Sequence, residues 1–153
     1  MTDDLTHAAE HFALTLTQYG LQRMTARVMA ALLFTQQDTM TAGDIGAQLG
    51  VSSGAMSGAI KNLTELGMIE RVPAPGSRRE HFRFRDGAWA ILMSKQNMVL
   101  TLMTEAAEDG IKAAGPDSPA GQRLADMRDF YAYMLSEMPA LIERWRSRTG
   151  RGG

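Results

Sequence analysis

Three groups of residues in this chain carry side chains that could do chemistry. The first is HAAEH, from His7 to His11, with two imidazoles four residues apart on one helix face and Glu10 beside them. That is the spacing of an H-x-x-E-H zinc hydrolase. Catalytic zinc needs a third protein ligand in an enclosed site. The one other histidine is His81, far along the chain among arginines, and there is no cysteine. No metal site is assigned; a metal-responsive regulator stays open as an alternative, which a chelator would expose. The second group is Arg78, Arg79, Arg83 and Arg85 within GSRREHFRFR, guanidiniums of the kind that bind phosphate. The third is VSSGAMSGAIKNL, in which Ser52, Ser53, Ser57 and Lys61 alternate with Gly54 and Gly58. No G-x-S-x-G elbow or Walker loop is present, and Gly43, Gly46 and Gly50 match no nucleotide fingerprint. The expectation is a protein that is not an enzyme and needs no cofactor.

The third group poses a question of energy. Glycine inside a helix costs about 1 kcal/mol relative to alanine. Met56, Ala59, Ile60 and Leu63 recur at three- and four-residue steps and define an inward stripe. Gly54, Ser57, Gly58 and Lys61 then fall on the outward face, where the glycines add nothing to a core. A surface that must come close to the helix backbone explains them, and the DNA major groove is such a surface. Packing against another helix also favours small residues, so the neighbouring elements decide.

Those elements are legible from periodicity and capping. A helical stripe with Leu5, Ala9, Phe12, Leu16 and Tyr19 runs from about Asp3 to Tyr19, and a second helix through MTARVMAALLF follows Gly20. Thr41 and Asp44 have capping-box spacing, with Met40 and Ile45 placed as a hydrophobic staple, so a short helix runs to Leu49. Gly50 makes the turn, Ser52 caps the next helix, and Gly67 ends it after Leu66. MIERV, the loop PAPGSRRE and HFRFR read as a β-hairpin, with Phe82 and Phe84 alternating with His81, Arg83 and Arg85. A long helix spans about 88–114, GPDSP ends it, and a last one spans about 120–148, with Pro139 expected to bend or break it.

The run from Thr41 to Arg85, with its LGVSSGAMSGAIKNLTELGMIER core and GSRRE wing, resembles the winged helix-turn-helix of MarR-type transcriptional regulators. The wing and the glycine-rich helix look closest to the GbsR-like branch. The fold expected is mainly α with a small β-wing, a winged helix-turn-helix flanked by N- and C-terminal dimerisation helices. It forms one domain over residues 1–148, with the reader at about 40–86, dimerisation helices at about 3–19 and 88–148, and a disordered tail at 149–153. The resemblance implies a homodimer that binds a pseudo-palindromic site in double-stranded DNA, often released by a small molecule. Ser52, Ser53, Ser57 and Lys61 would contact the major groove, with Gly54 and Gly58 permitting close approach. Arg78 and Arg79 would enter or border the minor groove, and Arg83 and Arg85 would meet phosphates. Many relatives carry a larger polar or basic side chain near Gly58, which gives shape readout more weight here.

Charge and composition fit that reading. Net charge is −1, yet residues 41–85 hold six basic against four acidic side chains between acidic flanks. The N-terminus lacks the apolar core of a signal peptide and no run is long enough to span a membrane, so a cytoplasmic protein is expected. Leu124, Met127, Tyr131, Met134, Met138, Leu141 and Trp145 form a heptad-like seam. With Leu5, Phe12, Leu16 and Tyr19 of the N-terminal stripe, they are the candidate dimerisation residues. Twelve methionines, several on the long helices, suit an adaptable apolar pocket. Trp89, Met93, Tyr131 and Met134 are its candidate lining, for an apolar or aromatic effector. The function expected is a ligand-responsive repressor; a winged helix that docks a protein partner through its small-residue face is the rival from another class.

Overall fold

The computed structural model describes residues 2–150. Among them six helices and three short strands follow in the order α1 (Asp3–Gln18), α2 (Arg23–Phe34), β1 (Met40–Thr41), α3 (Ala42–Leu49), α4 (Ser53–Glu65), β2 (Ile69–Val72), β3 (His81–Phe84), α5 (Ala88–Ala114) and α6 (Pro119–Thr149). The expected fold class, mainly α with a small β-wing, is the one observed. The chain divides into two compact units, Met1–Ala88 and Trp89–Gly153. No helix among the described residues is long and apolar enough to cross a membrane.

In the first unit α2 is the central element. Val28, Met29, Ala30, Ala31 and Leu32 are all buried, because α1, α3, α4 and β3 surround it. Alanines set the α1–α2 crossing: Ala9 and Ala13 meet Ala26 and Ala30, and Phe12, Leu16, Leu21 and Phe34 close around them. The expected α1 stripe stops at Leu16. The helix ends at Gln18, so Tyr19 becomes its C-cap and is 88% exposed instead of continuing the buried face. Arg27 ties three elements together, donating from Nη2 to Glu10 on α1 (3.3 Å) and to the Leu49 carbonyl that ends α3 (3.1 Å). A cation at the carboxyl end of a helix also complements its dipole.

The hairpin has a third strand that periodicity missed. β3 is central, pairing antiparallel with β2 (Glu70 opposite Arg83, Arg71 opposite Phe82) and with β1 (Met40 opposite Phe82, Thr41 opposite His81). Two residues are too few for an alternation to show in sequence. Met40, a strand residue, is buried, as is Ile45 on α3.

In the second unit α5 and α6 are joined at Gly115–Ser118, where Ser118 accepts the Gly121 N–H (3.0 Å) as N-cap and Pro119 opens the helix. Their contact buries Ala90, Met138 and Ile142, with Leu100 and Met134 against them. Of the bend or break expected at Pro139, the break is corrected: α6 runs without interruption to Thr149. Proline removes one backbone donor and crowds the preceding turn. Here Met138 and Ile142 anchor the helix on both sides, while Pro139 itself faces solvent. Of the expected tail, Thr149 is helical and Gly150 caps α6 with φ 64°; residues 151–153 lie outside the described residues.

Candidate nucleic-acid interface

The start of α3 sets the geometry of the reader. Thr41 Oγ1 accepts from the Asp44 N–H (3.1 Å) and Asp44 Oδ2 accepts from the Thr41 N–H (2.9 Å), completing the capping box. The Asp44 carboxyl is held below its usual value, chiefly by its hydrogen bonds with Thr41, with smaller electrostatic contributions from His81 and Arg79. A carboxylate lowered in the folded state stabilises the fold above its unfolded value of 3.8, and that contribution is lost as pH falls through the lower folded value. Asp44→Asn is therefore expected to lower stability at neutral pH and to flatten the acid limb. Urea denaturation between about pH 2 and 6 checks this. A mutant curve parallel to the wild type throughout that window would refute it.

Between α3 and α4 the chain turns tightly. Gly50 has φ 69°, a left-handed conformation that favours glycine, and the Val51 N–H donates to the Gly46 carbonyl (3.0 Å). Ser52 caps α4, accepting the Ala55 N–H (3.4 Å). Met56, Ala59, Ile60 and Leu63 are buried, as the inward stripe requires. The opposite face carries Ser53, Gly54, Ser57, Gly58 and Lys61, all exposed. A Cβ added at Gly54 or Gly58 would meet nothing within 4 Å. No contact among the described residues accounts for either glycine. Ser57 donates to its own helix at the Gly54 carbonyl (3.1 Å), and Lys61 leans toward Glu65 at 3.9 Å. Both interactions are solvent-exposed and exchange readily for an external partner.

The wing stands beside this face. α4, the start of α3 and the wing enclose a cleft of about 470 Å³ whose lining includes Ser53, Ser57, Lys61, Arg71, Arg79 and Phe82. Four of the expected DNA residues are thus brought to one place. Arg78 lies at the exposed tip, and neither it nor Arg79 takes part in an ion pair among the described residues. Arg79 reaches back toward α3, its Nη1 3.9 Å from where a Gly43 side chain would begin. Arg83 and Arg85 are placed differently. Both face Glu70, Arg83 at 2.7 Å and Arg85 at 3.9 Å, so one carboxylate already balances part of their charge. Arg71 was missed in sequence; it pairs with Glu80 across the hairpin at 3.2 Å and lines the cleft.

The other candidates disperse. His7, Glu10 and His11 are exposed on α1, and Glu10 is held by Arg27. Among the described residues no three His, Cys, Asp or Glu side chains are grouped to hold a metal ion. Of the dimerisation candidates, Leu5 is half-buried, Phe12 and Leu16 pack inside the first unit, and Tyr19 is exposed. On α6, Leu124 and Met127 are half-buried, Met138 is buried, and Leu141 and Trp145 are each 56% exposed. Of the effector candidates, Trp89 and Met93 are exposed, Tyr131 packs edge-on to Phe130, and Met134 lies against the Ala90–Met138–Ile142 cluster.

A capped two-helix turn with an exposed small-residue face, followed by an arginine-bearing hairpin, defines a winged helix-turn-helix protein. Residues 19–80 match the MarR family model, and residues 87–148 match the model of MmpR5-like MarR family transcriptional regulators. The chain is 30% identical over 132 residues to the HTH-type transcriptional regulator MmpR5 of Mycobacterium tuberculosis, covering 86% of this chain and 80% of that protein. It also resembles the crystal structure of a transcriptional regulator with a TM-score of 0.80 and 27% identity, over 94% of this chain and 99% of the other. This protein belongs to the MarR family of DNA-binding transcriptional regulators, a family of regulators and not of enzymes. The branch these matches name is MmpR5-like; they give the GbsR-like branch no support.

Proposed function

We propose that this chain is a homodimeric, ligand-responsive repressor that acts in the cytoplasm on a pseudo-palindromic operator. The observation that carries the reading is the outward face of α4, where Gly54 and Gly58 open onto empty space beside Ser53, Ser57 and Lys61. Two glycines at a cost of about 1 kcal/mol each call for a partner that comes close to the backbone, and a major groove is one. Arg78 and Arg79 extend the contact to the adjacent minor groove, where narrow geometry concentrates negative potential. Arg83 and Arg85 share Glu70 and serve phosphates in second place.

Exposed apolar side chains support the dimer. Leu14 and Tyr19 in the first unit, and Met98, Leu102, Phe130 and Trp145 in the second, are large and open to solvent. Such side chains are what a subunit interface would cover. A dimer sets two recognition helices about 34 Å apart, one turn of DNA. The effector is an apolar or aromatic compound bound near Trp89, Met93, Tyr131 and Met134, and it shifts the population of dimers whose spacing fits the operator.

Selection from random duplex DNA with purified protein tests the reading. An inverted repeat with half-sites about ten base pairs apart is the expected result. An unenriched pool, with weak binding that salt abolishes, would sink it and point α4 toward a protein partner.

A further inference from the structure

We propose that His81 is a positioning residue for the wing: through Ser77 it fixes the stretch of backbone that carries Arg79. The proposal rests on the reading that Arg79 contacts DNA.

The loop from Pro73 to Glu80 must reach out from the sheet and still present its arginines in one place. Pro75 through Glu80 are all exposed, so burial does little to hold them. Hydrogen bonds hold the tip instead. The Ser77 N–H donates to the Ala74 carbonyl (3.0 Å), closing a turn in which Gly76 has φ 82°. Ser77 Oγ accepts the Arg79 N–H (3.2 Å) and also lies 3.1 Å from His81 Nε2. The other ring nitrogen, Nδ1, lies 2.9 Å from Thr39 Oγ1, just ahead of β1. The ring thus spans from the base of the sheet to the tip of the loop, and Ser77 passes the constraint to Arg79.

The bridge tolerates either neutral tautomer. With the proton on Nδ1, the ring donates to Thr39 and accepts from the Ser77 hydroxyl. With it on Nε2, the ring donates to Ser77 and accepts from Thr39. In both cases Ser77 Oγ keeps a lone pair for the Arg79 N–H. The imidazole is itself fixed, since His81 is the first residue of β3 and sits opposite Thr41 and Val72 on its two neighbouring strands. Its bond to Thr39 lies in a half-buried place, where it is less open to competition from water. Groups placed by a side chain locked on a strand are held more firmly than groups on a free loop.

The test is a double-mutant cycle between His81 and Arg79, read as binding of a fluorescent duplex of mixed sequence, with a thermal melt of each variant. Arg79→Ala and His81→Ala are each expected to weaken binding roughly tenfold, and the double variant by little more than either alone, the non-additivity of residues that act as a unit. Ser77→Ala should copy His81→Ala. His81→Gln, whose amide reaches the place of Nε2, should restore most of the affinity. Losses that multiply in the double variant would overturn the proposal, as would a Gln variant no better than Ala at equal melting temperature. If Arg79→Ala alone leaves affinity and salt slope unchanged, the reading of Arg79 at DNA fails instead. Should His81→Ala not fold, the cycle is run with Ser77→Ala, at an exposed position.

Discussion

Gly46→Val is expected to cost the first unit more than about 3 kcal/mol, whereas Gly43→Ala, one helical turn earlier, should be close to neutral. A Cβ at Gly46 would stand 2.7 Å from the Val51 carbonyl oxygen and 3.2 Å from Met56 Cε. The methyl of Met56 can move, but the Val51 carbonyl cannot move cheaply. Its residue is tied back to Gly46 by the Val51 N–H bond and followed at once by the cap of α4. Relief therefore means reopening the turn between α3 and α4. At Gly43 the nearest atom is Thr41 Oγ1 at 3.7 Å, an ordinary contact, so alanine gains helix propensity without a clash. A stability of about 5–15 kcal/mol is typical of a domain, so the valine would remove a large part of it. Urea denaturation of both variants decides the matter. A Gly46→Val protein as stable as wild type would mean that the two helices do not meet as closely as described.

Gly58→Leu is expected to do the opposite to stability and to remove function. Leucine is a better helix former than glycine by nearly 1 kcal/mol, and nothing within 4 Å obstructs its first atom. The fold should hold or gain. Duplex binding should fall by about two orders of magnitude, near 2.8 kcal/mol, because the side chain fills the space that the groove needs. Denaturation and anisotropy on one preparation report both effects. Full affinity in a stabilised variant would show that DNA does not lie against this face of α4, and the exposed glycines would then serve another partner. These two glycines and Gly46 sit in adjacent helices, yet they answer to different neighbours. Gly46 is constrained from inside the protein, whereas at Gly58 nothing within 4 Å constrains it and the proposed groove would.

That contrast shows what was legible in the sequence and why. The capping box at Thr41 and Asp44, the Ser52 cap and the left-handed Gly67 depend on residues within a few positions of one another, so local chemistry reveals them. The two faces of α4 follow from its helical period. Gly46 depends on a carbonyl across a turn, and no periodicity encodes that distance. The pairing of Arg83 and Arg85 with Glu70 depends on strand register, which the hairpin loop left undetermined. Strand β1 was too short to show, and the role of His81 arises only once Thr39 and Ser77 are brought to its two nitrogens. A break at Pro139 follows from a local rule, which the packing of Met138 and Ile142 overrides.

The three-stranded sheet consists of strands of two and four residues, and β1 meets its centre over two pairs only. So small a ladder shields few amides. In a hydrogen-exchange experiment the wing should open by itself, at a free energy below that of global unfolding, while the amides of α2 and the buried face of α4 wait for the whole unit to unfold. The reader then has a rigid half and a compliant half. If the wing enters the minor groove as proposed, a sheet that flexes as one piece, with its tip still braced through His81 and Ser77, lets one protein follow grooves of different width without remaking its core. It also makes the wing the part whose exchange rates would slow first when an operator is bound.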